Sequence, residues 1–129
     1  MEDGDGLMGT FSTEVSVGNI DQREWVDLSA TVDTGAFLMS MPGSLLRSMG
    51  VVPSFTENVR MADGRVRSLD VGHAWLRING REVVTLVAFN DDYTSPLLGS
   101  LALETLRMAV DPVGPVSYTH LTLPTKRIV

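Results

Sequence analysis

Asp33-Thr34-Gly35-Ala36 is the segment of this chain best equipped for chemistry. Ahead of it, Val26, Leu28, Ala30 and Val32 alternate with Asp27, Ser29 and Thr31, so a half-buried strand ends at Asp33. A carboxylate at the tip of such a strand stands at the edge of a core. There it can take or give a proton as a general base or acid. Gly35 has no side chain to stop another backbone or a substrate approaching, and its N–H can bond the carboxylate. Thr34 offers a hydroxyl that can lock the turn. Taken alone, the triplet reads more simply as a type I turn with Asp at its first position. The surrounding elements must decide.

Those elements read mostly as short strands. Phe11, Thr13, Val15 and Val17 alternate with Ser12, Glu14 and Ser16, and Gly18-Asn19 supplies a turn toward the strand that ends at Asp33. Pro42 to Gly50 reads as a short helix, with Pro at its first turn and Gly just past its end. Asp63-Gly64 marks a hairpin between Asn58–Ala62 and Arg65–Val71, and Asn79-Gly80 marks another between Ala74–Ile78 and Glu82–Phe89. Leu97-Leu98-Gly99 is short and apolar; Ser100 then caps a helix over Leu101–Leu106, and Met108–Val110 reads as a last strand before Pro112. This pattern predicts an all-β fold, a small closed β-barrel or sandwich with one or two short helices.

Composition narrows the function. The 129 residues suit one domain, and 43% hydrophobic residues supply a core. There is no Cys, which excludes disulfide scaffolds, thiolate metal sites and cysteine nucleophiles. Sixteen acidic residues against ten basic ones argue against a nucleic-acid partner. No apolar run reaches the roughly 18–20 residues of a membrane span, and the acidic, Gly-rich start does not resemble a signal peptide, so a soluble, cytoplasmic location is expected. Residues 1–6 read as a flexible leader and 7–115 as the domain. Residues 116–129 read as a non-native tail, because Val116 to Thr125 resembles a translated sequencing adaptor; the alternative there is an edge strand over Ser117–Leu123.

Strand, Gly, helix recurs: Thr31-Val32-Asp33-Thr34-Gly35 is echoed by Pro96-Leu97-Leu98-Gly99-Ser100. With Val32-Asp33-Thr34-Gly35-Ala36, the helix closing at Met49-Gly50 and the hairpin at Ala62-Asp63-Gly64, the order of motifs over residues 8–113 resembles the retroviral-type (retropepsin-like, clan AA) aspartic proteases. It is most similar to their small bacterial single-domain members, in which one short chain is half an enzyme.

The resemblance implies an aspartic endopeptidase with the small closed barrel of that family, acting on extended polypeptides without a cofactor or metal. One Asp-Thr-Gly per chain supplies one carboxylate, so the implied enzyme is a homodimer with Asp33 from each subunit. By the same resemblance Thr34 bonds across the dimer axis, Gly35 positions the carboxylate and Ala36 lines the cleft. The hairpin with Ala62, Asp63 and Gly64 at its tip is the implied flap. Leu97, Leu98 and Gly99 pack beneath the catalytic turn, with Leu98 near a specificity pocket.

Two features depart from the retroviral pattern. An Arg after the Leu/Ile-Gly pair and an acid four residues beyond the catalytic Asp form an ion pair there; here those positions are Ser100 and Phe37. Both partners are missing together, which leaves no unpaired charge. The tail from Val116 stands where retroviral dimers interleave terminal strands. Other candidates read more simply as scaffold: Asp91-Asp92 as solvated surface, His73 as a strand residue, Trp25 and Trp75 as core or rim, and the methionines as gap-fillers. Two further functions are weighed: a catalytically inactive module of the same fold that dimerises or binds peptides, and an unrelated β-barrel binding domain in which Asp33 is only a turn residue.

Overall fold

Period-two alternation builds the first two strands, β1 (Phe11–Gly18) and β2 (Trp25–Val32), which pair antiparallel from Phe11 opposite Val32 to Gly18 opposite Trp25. The computed structural model describes residues 11–61 and 63–108. The leader over 1–6, Ala62 and the tail over 116–129 lie outside them. The link from β1 to β2 is longer than the expected Gly18-Asn19 turn. It runs over 19–24, and the buried Asn19 organises it by accepting the N–H groups of Arg23 (3.0 Å) and Glu24 (3.1 Å) and donating to the Met49 carbonyl (2.9 Å).

Next come β3 (Met39–Pro42), α1 (Gly43–Ser48), β4 (Pro53–Arg60), β5 (Val66–Ile78), β6 (Arg81–Asn90), β7 (Leu97–Leu98) and α2 (Ser100–Met108). The Asn79-Gly80 turn has both central residues at positive φ, 51° and 80°, the geometry that matches the twist of paired strands. Arg65–Val71 and Ala74–Ile78, expected as separate strands, form one continuous strand, β5. Its first half pairs with β4 and its second with β6. Gly72 sits where the two halves meet; a Cβ there would lie 2.8 Å from the Val52 carbonyl oxygen, so only glycine lets the chain entering β4 pass so close. Met108, expected to begin a last strand, instead ends α2, which continues the helical pattern past Leu106.

The sheet order is β1-β2-β7-β3-β6-β5-β4, and β5 returns to pair with β1 through Ser16, Val17 and Gly18. Among the described residues the sheet therefore closes into a ring, with β4 outside it as the second arm of a hairpin. This is the expected all-β fold with two short helices. The main core holds Val17, Met39, Met41, Leu46, Leu76, Leu98 and Leu106, none more than 1% exposed. Each such side chain contributes about 1.5–3 kcal/mol by leaving water. A smaller cluster of Leu69, Val71 and Ala88, with Leu38, Val59 and Leu86 against it, joins the base of the β4–β5 hairpin to the loop after Asp33. No helix among the described residues is long and apolar enough to cross a membrane.

Candidate active site

Asp33 leaves the end of β2, and its position follows from what β2 pairs with. Thr31 and Val32 run parallel to Leu97 and Leu98 of β7, an alignment held by Thr31 N–H to the Pro96 carbonyl (3.0 Å) and Asp33 N–H to the Leu98 carbonyl (2.9 Å). The chain then turns: the Ala36 N–H donates to the Asp33 carbonyl at 3.1 Å, while the Gly35 N–H donates to Asp33 Oδ1 at 2.9 Å. The carboxylate is thus fixed by its own turn. A Cβ on Gly35 would sit 3.2 Å from that same Oδ1, so any larger residue crowds it. Asp33 and Ala36 are half-buried; Thr34 and Gly35 are exposed, with the Thr34 side chain outside the core.

The segment after β7 supports the turn from below. The N–H groups of Ser100 and Leu101, at the start of α2, donate to the carbonyls of Ala36 (2.8 Å) and Phe37 (3.0 Å). Gly99 lies among three carbonyls: a Cβ there would meet the oxygens of Phe37, Ala36 and Leu38 at 2.6, 2.7 and 2.7 Å. Leu97 is half-buried and Leu98 is fully buried in the main core. Asp33, Thr34, Gly35, Ala36, Leu97, Leu98 and Gly99 therefore form one assembly in which β7 and the first turn of α2 hold the Asp33 loop.

Asp63 and Gly64 stand at the exposed tip of the β4–β5 hairpin. Gly64 has φ +88° and donates to the Met61 carbonyl at 2.9 Å, and Asp63 Oδ1 accepts the Arg65 N–H at 2.9 Å. The hairpin is also tied to the loop after β6. Arg67 Nη1 reaches Asp91 Oδ2 at 3.3 Å, and Asp91 Oδ1 accepts the Thr94 hydroxyl at 2.7 Å. The Thr94 hydroxyl bond, with Arg67 beside it, holds the Asp91 carboxyl below its ordinary value against the opposing effect of desolvation. Sequence reasoning treated Asp91 as plain surface and missed this tether. Its partners are 24 residues apart, and only the fold brings them together.

The chain resembles two viral proteases of known structure. The EIAV protease bound to an inhibitor matches with a TM-score of 0.56 at 18% identity, covering 84% of this chain and 98% of that one. The simian foamy virus (mac) protease matches with a TM-score of 0.50 at 20% identity, covering 77% and 100%. The chain has a retropepsin-like fold. A retropepsin-like aspartic protease from Rickettsia conorii is also similar, with a TM-score of 0.48, 20% identity, and 74% and 81% of the two chains covered. No family model and no curated protein sequence matches.

Within the retropepsin-like fold, the two departing positions adopt a simple arrangement. Phe37 and Ser100 lack the charges of the retroviral ion pair, and the same two segments are joined by the backbone bonds from Ser100 and Leu101. The remaining candidates serve the scaffold. Asp92 Oδ1 accepts the Ser44 hydroxyl at 2.8 Å beside the start of α1. His73 Nδ1 lies 3.2 Å from the Ser54 hydroxyl. Trp25 and Trp75 donate to the carbonyls of Gln22 (3.1 Å) and Ile20 (3.0 Å), and Arg77 stacks 4.0 Å from the Trp25 ring.

Proposed function

We propose that this chain is an aspartic endopeptidase that hydrolyses peptide bonds in polypeptides as a homodimer, with Asp33 of each subunit as the catalytic residue. The observation that supports this best is the Asp33 carboxylate, set at the end of a half-buried strand and held by the Gly35 N–H at 2.9 Å on an open turn. Hydrolysis needs one group to take a proton from water while another donates to the carbonyl oxygen. Two carboxylates side by side do both, because like charges a few ångströms apart do not both ionise and one proton stays shared between them. A single copy supplies one carboxylate, and the turn that carries it is exposed at Thr34 and Gly35, where a second copy can meet it. Closed C₂ symmetry then gives the pair.

In this reading Thr34 bridges the two turns, Ala36 lines the cleft, and the hairpin tipped by Asp63 and Gly64 closes over the bound peptide and excludes water. The peptide lies extended and makes strand-like backbone bonds, with alternate side chains in pockets. The test is cleavage of fluorogenic peptides between about pH 4 and 6 by the wild type and by Asp33→Asn. Pepstatin-sensitive cleavage that the variant loses supports the enzyme. Equal background in both leaves the inactive dimerisation or peptide-binding module as the better reading.

A further inference from the structure

Away from the Asp33 turn, one scaffold contact also couples a nucleophile to a base. The Ser54 hydroxyl lies 3.2 Å from His73 Nδ1, across the base of the β4–β5 hairpin. An irregularity in the sheet brings the two together. Pro53 stands opposite Gly72 and Phe55 opposite Val71, so Ser54 is an extra residue with no partner of its own in the register. A bulge of this kind bends the strand and re-aims a side chain. Here the re-aimed hydroxyl meets the imidazole one residue beyond Gly72, and both side chains belong to exposed residues. With Ile20, Gly50, Val51 and Val52 they line a cavity of about 180 Å³. Its wall is apolar and uncovered, since Ile20 is 54% and Val52 72% exposed. A nucleophile, a base and an apolar wall thus share one small hollow.

We propose that Ser54 is an acylation site that takes a short apolar acyl group from an activated ester or thioester, with His73 as its base. A hydroxyl is a weak nucleophile until a base within hydrogen-bond reach takes its proton, and the imidazole nitrogen stands at that reach. Ser54 Oγ attacks the carbonyl carbon of the donor while its proton passes to His73 Nδ1. The tetrahedral intermediate then collapses. The bond from carbon to the phenolate or thiolate breaks, and the leaving group departs with the proton that the imidazolium returns. The product is an ester on Ser54, its chain lying against Ile20 and Val52 and covering apolar surface that is otherwise wet. The cavity is small beside the roughly 300–1,000 Å³ of a site for a drug-sized ligand, which limits the chain to a few carbons. The acyl group stays on. A serine alkoxide leaves less readily than a phenolate or thiolate, and among the described residues no carboxylate bonds His73 to orient it as a triad does. The outcome is capture of one acyl group per chain rather than continuing hydrolysis, and none of it needs Asp33.

The experiment treats the full chain with p-nitrophenyl acetate and p-nitrophenyl butyrate. Nitrophenolate release should show a burst of one equivalent per chain, and peptide mass spectrometry should find the acyl group on Ser54. Ser54→Ala should abolish the burst. His73→Gln should slow it by about tenfold or more. Val52→Ser should slow butyrylation more than acetylation, because it removes part of the apolar wall. Label spread over the terminal amine, Lys126 and other hydroxyls as readily as on Ser54 overturns the proposal. So does a His73→Gln burst as fast as that of the wild type, or no burst above the spontaneous hydrolysis of the esters. Urea midpoints are measured for every variant, and where one is lowered the position of the label on the wild type decides.

Discussion

A Cβ on Gly99 would lie 2.7 Å from the carbonyl oxygen of Ala36, closer than real Cβ atoms come to an oxygen. The chain after β7 and the loop after Asp33 are thus in backbone contact. Gly99→Ala must push the loop over 36–38 away from α2 and weaken the bonds from Ser100 and Leu101. We expect a loss of about 1–3 kcal/mol in denaturant unfolding, the range for forcing an extra methyl into a packed site, together with a fall in kcat. Stability equal to the wild type would show that the loop shifts without cost.

Gly35→Ala separates positioning from folding. Its Cβ would stand 3.2 Å from Asp33 Oδ1, a contact that a shift of a few tenths of an ångström relieves. Unfolding should therefore change by less than about 1 kcal/mol. Activity should fall by about tenfold or more, because reacting groups tolerate little misplacement. Parallel urea titrations and peptide assays check the contrast.

The Asp91 carboxyl, bonded by the Thr94 hydroxyl and paired with Arg67, gives a pH dependence of known sign. The folded carboxyl sits below its ordinary value of 3.8, so its contribution is fully present above that value and disappears as pH falls through the lowered one. The difference in urea midpoint between wild type and Asp91→Asn should be constant from pH 7 down to about 4 and should shrink below it. High salt should reduce that difference, since both side chains are nearly half exposed, at 46% and 45%. A difference that grows toward low pH would contradict the tether.

If the enzyme is built from two copies, dilution should inactivate it. Specific activity should fall as protein concentration drops below the dimer dissociation constant, and a tight peptide inhibitor that spans both copies should restore the dimer by mass action. Sedimentation velocity run beside the assay checks this. A strictly monomeric species with full activity would rule out a shared pair of Asp33 carboxylates.

Local chemistry made much of this protein legible in its residues. Alternation in Phe11–Val17 and Val26–Val32 announces two strands, and the Asp63-Gly64 and Asn79-Gly80 turns announce hairpins, because these signals depend on neighbours within a few positions. Asp33, Gly35 and Gly99 stand out for the same reason. The strand β3 left no such sign: three of its four residues are buried, so it has no polar face and no period to read.

Tertiary structure alone decided the rest. Ring closure joins Ser16–Gly18 to Trp75–Arg77, the parallel contact sets Thr31 and Val32 beside Leu97 and Leu98, and the hairpin is tethered through Arg67 and Asp91. Each of these contacts joins residues far apart in the chain, whose meeting depends on the whole sheet folding at once. The residues thus specified which carboxylate could act. The closed sheet determined what holds it and left Phe37 facing solvent beside it.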